Sequence, residues 1–138
     1  MRFMLIRKAD EDTEAGAKPS PQVLADMGKY MDEMGKAGIV LAGEGLQPSS
    51  MGCRVKFTRG QPAITDGPFI ETKEMIAGFS IIRANSRQEA IDWAKRWPTS
   101  DAGGNIEIEI RQIIEPEDFG PEATAEMKKM RARWDKRK

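Results

Sequence analysis

Histidine is absent from this sequence of 138 residues, and cysteine and tyrosine occur once each. Without an imidazole, the chain has no Ser-His-Asp or Cys-His arrangement, and it lacks the side chain found in nearly all zinc and non-haem iron sites. The single cysteine, Cys53, cannot form an internal disulfide or a thiolate cluster. Any acid–base chemistry must therefore use carboxylates, lysines, Tyr30 or Cys53.

Long hydrophobic runs are also lacking. No stretch approaches the roughly 18 consecutive apolar residues of a membrane span. The apolar part of the N-terminal stretch "MRFMLIRK" is too short for a secretory signal, and no small-residue cleavage site follows it. We therefore expect a cytoplasmic protein with no membrane partner.

Recognition motifs for cofactors and nucleic acids are missing too. The sequence contains neither G-x-G-x-x-G nor a P-loop, so we expect no cofactor, and with no imidazole or thiolate cluster we expect no metal. The net charge is zero, but residues 126–138 carry +5 and residues 1–125 carry −5. No aromatic–basic platform or helix-turn-helix pattern accompanies the basic tail, so we expect it to dock on acidic protein surface rather than on nucleic acid.

Hydrophobic periodicity predicts six strands and three helices. Helical spacing with a Ser20-Pro21 start predicts a helix that Gly38 ends, and Ser86 with Glu89 is typical of a helix start that leads to Pro98. Alternation predicts the hairpin that turns at Arg59-Gly60 and places Cys53 on its apolar face, where we expect it to be buried. The strands are predicted at 1–8, 39–46, 53–58, 61–65, 75–84 and 106–114, and the last helix at 122–136.

The order of these elements predicts an α+β fold. A β-α-β unit, a hairpin insert and a second β-α-β unit are typical of a ferredoxin-like split βαβ plait. In that plait both helices pack on one face of an antiparallel sheet, so the opposite face needs a cover. We expect a homodimer that supplies it, with a folded domain at 1–114 and a basic helical extension at 115–138.

Three stretches together resemble a known family. "AGIVLAGEGLQPS", "TDGPFIETKEMIAGFSII" and "SRQEAIDWAKRWP" are similar to the YCII-related family, in the branch named DGPF after its tetrapeptide. The resemblance covers roughly residues 1–114. It implies a dimeric α+β barrel of ferredoxin-like halves, and members of the branch are noted beside sigma-factor genes.

The resemblance also implies a mechanism that this chain cannot follow in full. For the wider family a His–Asp pair in a cleft is proposed, with hydrolase-like or dehalogenating chemistry. By match, Asp66 would be the aspartate of that pair. The histidine has no counterpart in this sequence, so the paired mechanism does not carry over.

Asp66 and Lys73 are the predicted catalytic residues. Asp66 precedes a Gly67-Pro68 corner, and Pro68 has no N–H to donate to an Asx-turn, so the carboxylate either bonds elsewhere, for instance to the N–H of Phe69, or stays free for a ligand. Lys73 is its predicted charge partner. The alternatives are a turn former and a solvated charge cluster.

Glu44, Glu71 and Tyr30 are the predicted ligand-binding residues. Glu44 stands between Gly43 and Gly45, where backbone or ligand can approach closely. Glu71 lies on the same side of its segment as Lys73. Tyr30 lies on the apolar stripe of the first long helix, and its alternative role is core packing with the hydroxyl bonded at the rim.

The sequence is thus compatible with functions from different classes. The leading interpretation is a small-molecule-binding or enzymatic protein of the YCII/DGPF type, with a cleft near Asp66 and the reaction left open. The alternative is a non-catalytic accessory or regulatory dimer linked to a sigma factor by family context. Cofactor-free oxygenase or isomerase chemistry, which dimeric barrels also host, is a third option that fold analogy alone cannot select.

Overall fold

A computed structural model describes residues 1–137 of the chain. Four short 3-10 turns lie among the regular elements. In chain order these elements are β1 (Arg2–Lys8), α1 (Glu11–Glu14), α2 (Pro21–Lys36), β2 (Val40–Gly45), β3 (Cys53–Thr58), β4 (Gln61–Asp66), β5 (Ile76–Arg83), α3 (Arg87–Ala94), β6 (Ile108–Gln112) and α4 (Pro121–Asp135).

The main sheet has four strands in the order β2-β5-β1-β6, and every neighbouring pair is antiparallel. α2 connects β1 to β2, and α3 connects β5 to β6, so each helix crosses over one intervening strand. This connectivity is the ferredoxin-like split βαβ plait, and it confirms the α+β fold predicted from the sequence.

One face of this sheet carries both helices and the core. Because side chains alternate along a strand, Phe3, Leu5 and Ile82 point to the same face, and all three are buried. They pack against Tyr30 and Met34 of α2 and against residues of α3. Burial of each large apolar side chain contributes about 1.5–3 kcal/mol, so this cluster holds the helices to the sheet.

The helix ends follow the sequence signals closely. The Ser20 hydroxyl accepts a hydrogen bond from the Val23 N–H, and Pro21 occupies the first turn of α2. The Ser86 hydroxyl accepts from the Glu89 N–H at the start of α3. The Glu89 carboxylate accepts from Asn85, one residue before the cap, so the reciprocal bond of a capping box is displaced by one position.

Strands β3 and β4 form a separate two-stranded sheet that projects from the plait. Arg59 and Gly60 both have positive φ, as the tight hairpin turn requires. Val55 and Ile64 are opposite each other on one face and are 53% and 71% exposed. The prediction that Cys53 is buried is wrong, because the hairpin lies away from the core and its apolar face is exposed in the single chain.

The C-terminal segment is joined to the plait at its beginning. Arg2 of β1 donates two hydrogen bonds to Glu115, which lies just before a 3-10 turn at Pro116–Phe119. α4 packs on this turn and buries none of its own residues. Trp134 is 59% exposed, so the largest apolar side chain of this helix is mostly uncovered.

Candidate functional site

A cavity of about 680 Å³ lies between α2 and the main sheet, beyond the end of the apolar core. Its floor is built from small residues, because Gly43 and Gly78 carry no side chain and Ser80 carries a short one. At Gly78 a Cβ would lie 2.9 Å from the Glu44 carbonyl oxygen, so the close approach of the two strands requires glycine there. The strands thus leave open space beneath the N-terminal half of α2.

Ser80 is the polar group on this floor. Its side chain is on the helix-facing side of β5, and the residue is only 3% exposed. Its hydroxyl oxygen has no hydrogen-bond partner among residues 1–137. A buried hydroxyl left without a hydrogen-bond partner costs about 1–3 kcal/mol, so this hydroxyl is available to a water or to a molecule bound in the cavity.

Arg7 forms the polar end of the cavity. It lies on the core face of β1 after Phe3 and Leu5, and it is 7% exposed. Its Nε and Nη2 atoms donate to the two carboxylate oxygens of Asp101 at 3.1 and 2.6 Å. Its Nη1 atom donates to Asp10 and to the Lys8 carbonyl oxygen. One buried cation thus joins the end of β1 to the start of α1 and to the loop before β6.

Hydrogen bonds decide the ionisation of this cluster. Burial by itself raises the pKa of Asp101, but the hydrogen bonds from Arg7 and from the Trp97 indole outweigh it and hold that pKa below its ordinary value. Burial also raises the pKa of Asp10, and the Thr13 N–H together with Arg7 reverses the shift. The hydrogen bond to Asp101 raises the pKa of Arg7 further above neutrality. All three groups are therefore charged at neutral pH.

Acid should destabilise the protein through these two carboxylates. Their pKa values are lower in the folded state than the ordinary value of about 3.9, so the unfolded chain binds protons first as the pH falls. The stabilisation is therefore complete well above pH ~4 and is lost as the pH falls through the folded-state pKa values. We expect the melting temperature of the wild-type protein to fall steeply below pH ~4, and that of Asp101→Asn to fall less steeply. The same pH dependence of the melting temperature in the wild-type protein and Asp101→Asn would contradict a role for Asp101.

The structure places Asp66, Lys73 and Glu71 away from this cavity. All three side chains are exposed, and none of them lines it. Glu71 lies 3.9 Å from Arg54 in an exposed ion pair, whereas no ion pair joins Asp66 to Lys73 in the described chain. Their assignment as a catalytic pair with a ligand-binding neighbour stays a prediction from the sequence.

The backbone that follows Asp66 docks on the turn before β3. The Gly67 N–H donates to the Gly52 carbonyl oxygen, and the Phe69 N–H donates to the Ser49 hydroxyl. A Cβ at Gly67 would lie 1.8 Å from the Ser49 carbonyl oxygen, so only glycine fits there. The Phe69 ring is half-buried under the Arg54 guanidinium and is not part of the apolar core.

This docking connects the DGPF stretch to the cavity wall by one further contact. The Ser49 N–H donates to the Glu14 carboxylate at 2.9 Å, and Glu14 is the last residue of α1. Asp10 caps that helix, while Asp12 and Thr13 within it line the cavity. The corner thus helps to position a wall of the cavity.

Glu44 and Tyr30 have different surroundings. Glu44 is among the residues that line the cavity, but its side chain points to the opposite face of the sheet, because Gly43 and Gly45 on either side of it face α2. Its ligand-binding assignment stays a prediction. Tyr30 is buried in the core, and its hydroxyl donates to the Trp93 carbonyl oxygen at 2.7 Å. Burial raises its pKa to about 12, so it is a poor proton donor at neutral pH. Its ligand-binding assignment also stays a prediction, and the geometry is that of a core residue.

Sequence reasoning missed Arg7, Ser80 and Asp101. Two of these three residues could have been identified from the sequence. Arg7 follows Phe3 and Leu5 at a spacing of two, which places a charge on the core face of β1, and Ser80 interrupts an otherwise apolar central strand. Asp101 lies in an irregular loop about 94 positions from Arg7, and no local pattern connects the two.

None of the described helices combines the length and the apolar character needed to cross a bilayer. Within residues 1–137, no group of three or more Cys, Asp or Glu side chains is arranged to hold a metal ion.

Comparisons with known proteins found a matching family model, a similar sequence and a similar solved structure. The family model described as the YCII-related domain matches residues 1–115. An uncharacterized protein of Rhizobium meliloti (strain 1021) is 33% identical over 89 residues, which are 64% of this chain and 68% of that protein. A similar solved structure is 5-chloro-2-hydroxyhydroquinone dehydrochlorinase from Burkholderia phenoliruptrix AC1100, in complex with 2,5-dihydroxybenzoquinone. It is 16% identical, with a TM-score of 0.46, and the match covers 83% of this chain and 95% of that one.

Proposed function

This chain belongs to the YCII-related family, and from that premise we propose that it binds a small organic molecule in the cavity between α2 and the main sheet. The observation that carries the proposal is the buried Ser80 hydroxyl, which has no partner among the described residues. A volume of about 680 Å³ lies within the range of small-molecule sites, about 300–1,000 Å³.

The chemistry of the lining favours binding over proton transfer by the buried cluster. Asp10 and Asp101 are held as carboxylates by Arg7, and their pKa values are below the ordinary range. A general acid or base works best when its pKa lies near the operating pH, so neither group is suited to that role at neutral pH. We therefore propose that the Arg7 cluster shapes and polarises the cavity, and that ligand binding is the primary activity.

Two substitutions distinguish this cavity from a site at Asp66. Ser80→Leu places a larger apolar side chain on the cavity floor, whereas Asp66→Asn removes the exposed carboxylate and keeps the turn chemistry. A panel of neutral, anionic and cationic monocyclic compounds is screened against each protein by ligand-observed NMR. We expect Ser80→Leu to lose binding and Asp66→Asn to retain it. The reverse pattern, or no binding to the wild-type protein, would refute the proposal.

We also propose that the protein works as a homodimer. The hairpin exposes Val55, Phe57 and Ile64 on one face, and Phe57 is 66% exposed. Burying about 800 Å² of apolar surface per partner would contribute tens of kcal/mol before the costs of association, at roughly 25 cal/mol per Å². A second copy of the chain would cover this face.

Adjacent residues on opposite faces of the hairpin provide a matched test of the dimer. Ile64 belongs to the apolar face and Thr65 to the polar one. Sedimentation velocity at micromolar concentration should show a dimer for the wild-type protein and for Thr65→Asp, and a shift towards monomer for Ile64→Asp. A folded wild-type monomer, or the same behaviour in both variants, would rule out this interface.

A further inference from the structure

We infer that the cavity selects an uncharged, ring-sized molecule that presents a carbonyl or hydroxyl oxygen, and that it discriminates against carboxylates. The inference rests on the proposed function, because it concerns the ligand of the same cavity. It follows from the hydrogen-bond donors at the cavity floor, from the charge of the lining and from the apolar walls.

Two hydrogen-bond donors line the cavity on the helix-facing side of the sheet. The Ser80 hydroxyl is one of them. Arg7 is the other, because its contacts with Asp101, Asp10 and the Lys8 carbonyl oxygen use four of its five N–H groups. In the sheet register Ser80 is opposite Leu5, and Arg7 is opposite Gly78, so Arg7 and Ser80 are diagonal neighbours on the same face. A single acceptor oxygen can therefore lie between them.

The electrostatic environment favours a neutral acceptor over an anion. Arg7 is already shared by two carboxylates, so a ligand carboxylate would be the third anion around one guanidinium. The charged side chains of the lining are Arg7 and Lys18 against Asp10, Asp12 and Asp101, a net charge of −1, because the Glu44 side chain points to the opposite face of the sheet. Bringing an anion into this partly desolvated space costs Coulomb energy, and Arg7, the cation beside Ser80, is already paired. Rejection of like charge is an established route to specificity.

The walls fit an apolar body. Val23, Met27 and Met31 of α2 face the glycine floor, and Trp97 also contributes to the lining. Methionine side chains adapt to irregular shapes and contact aromatic rings favourably. An aromatic ring bound here would therefore contact the methionines of α2, and its polar substituent would lie beside the two donors.

Benzamide and benzoate form the matched pair of probes, because they share size and shape and differ in charge. Titrations followed by protein NMR at neutral pH should show benzamide binding at least about tenfold more tightly than benzoate. Ser80→Ala should weaken benzamide about 3- to 10-fold, the usual effect of one lost hydrogen bond. Benzylammonium, which has no acceptor, should be insensitive to that substitution.

A second variant tests the charge reasoning independently. Asp12→Asn brings the lining charge to zero, and it should narrow the preference for benzamide over benzoate several-fold. Benzoate binding as tightly as benzamide to the wild-type protein, or an unchanged preference in Asp12→Asn, would overturn the inference and leave cavity binding intact. If Ser80→Leu still binds benzamide as the wild type does, the proposed function itself fails.

Discussion

Replacing Arg7 with methionine is expected to lower the free energy of unfolding by about 3–5 kcal/mol, the cost of breaking a buried ion pair from one side. Methionine keeps much of the side-chain length but leaves Asp101, which is largely buried, and Asp10, which is partly exposed, without their cation. The Arg7 side chain is 9% exposed and that of Asp101 is 15% exposed, so solvent cannot replace the lost contacts easily. Urea denaturation followed by circular dichroism measures the change.

Arg111→Met is the matched control for this experiment. Arg111 is also a strand arginine, but its side chain is 72% exposed and its ion pair with Glu109 lies at the surface. Exposed pairs of this kind contribute about 0–1 kcal/mol, so the control should hardly change stability. If Arg7→Met were as mild as Arg111→Met, the cluster would not hold β1, α1 and the loop before β6 together.

Ser80→Ala is expected to stabilise the ligand-free protein while it weakens ligand binding. The hydroxyl is buried and has no partner in the described part of the chain, so removing it removes a desolvation cost of about 1–3 kcal/mol. Most substitutions destabilise, so a gain of even about 1 kcal/mol at a buried position would be informative. Functional residues often lower the stability of the folded protein. A substitution that raises stability and weakens binding is therefore typical of a functional site.

Ser86→Ala should lower the stability of the protein, which is the opposite of the effect expected for Ser80→Ala. The Ser86 hydroxyl caps α3 by accepting from the Glu89 N–H, and loss of such a cap costs about 0.5–2 kcal/mol. Thermal and urea unfolding of the two alanine variants therefore compare one chemical change in two environments. A loss of stability in Ser80→Ala similar to that in Ser86→Ala would mean that the Ser80 hydroxyl is satisfied within the folded protein.

The fold was largely predictable because its signals are local. Alternation in β1 and the hairpin, the Ser-Pro start of α2 and the apolar run of β5 each indicate one element, and their order allows few topologies. Cys53 shows the limit of this reasoning. Alternation correctly places it on the apolar face of the hairpin, but alternation alone does not reveal that the hairpin lies outside the core of its own chain.

The candidate site was less predictable because its residues meet only through the tertiary fold. Glu44 was predicted from its flanking glycines, and those glycines lie on the cavity lining while the Glu44 side chain points to the opposite face of the sheet. Asp66 was predicted as a site residue because it belongs to the DGPF motif. The motif residue with the least space for a side chain is Gly67, which packs on the Ser49 carbonyl. Arg7 contacts Asp101 because β1 ends beside the loop that precedes β6. No sequence pattern in either segment predicts this contact.

A crystal structure of the protein soaked with benzamide would test most directly whether the cavity is the ligand site. We predict electron density for the ring beneath Val23, Met27 and Met31, with the amide oxygen about 2.6–3.0 Å from the Ser80 hydroxyl oxygen. Density at Asp66 instead, or a Ser80 hydroxyl bonded to another group of the protein while the cavity holds no benzamide at saturating concentration, would contradict it.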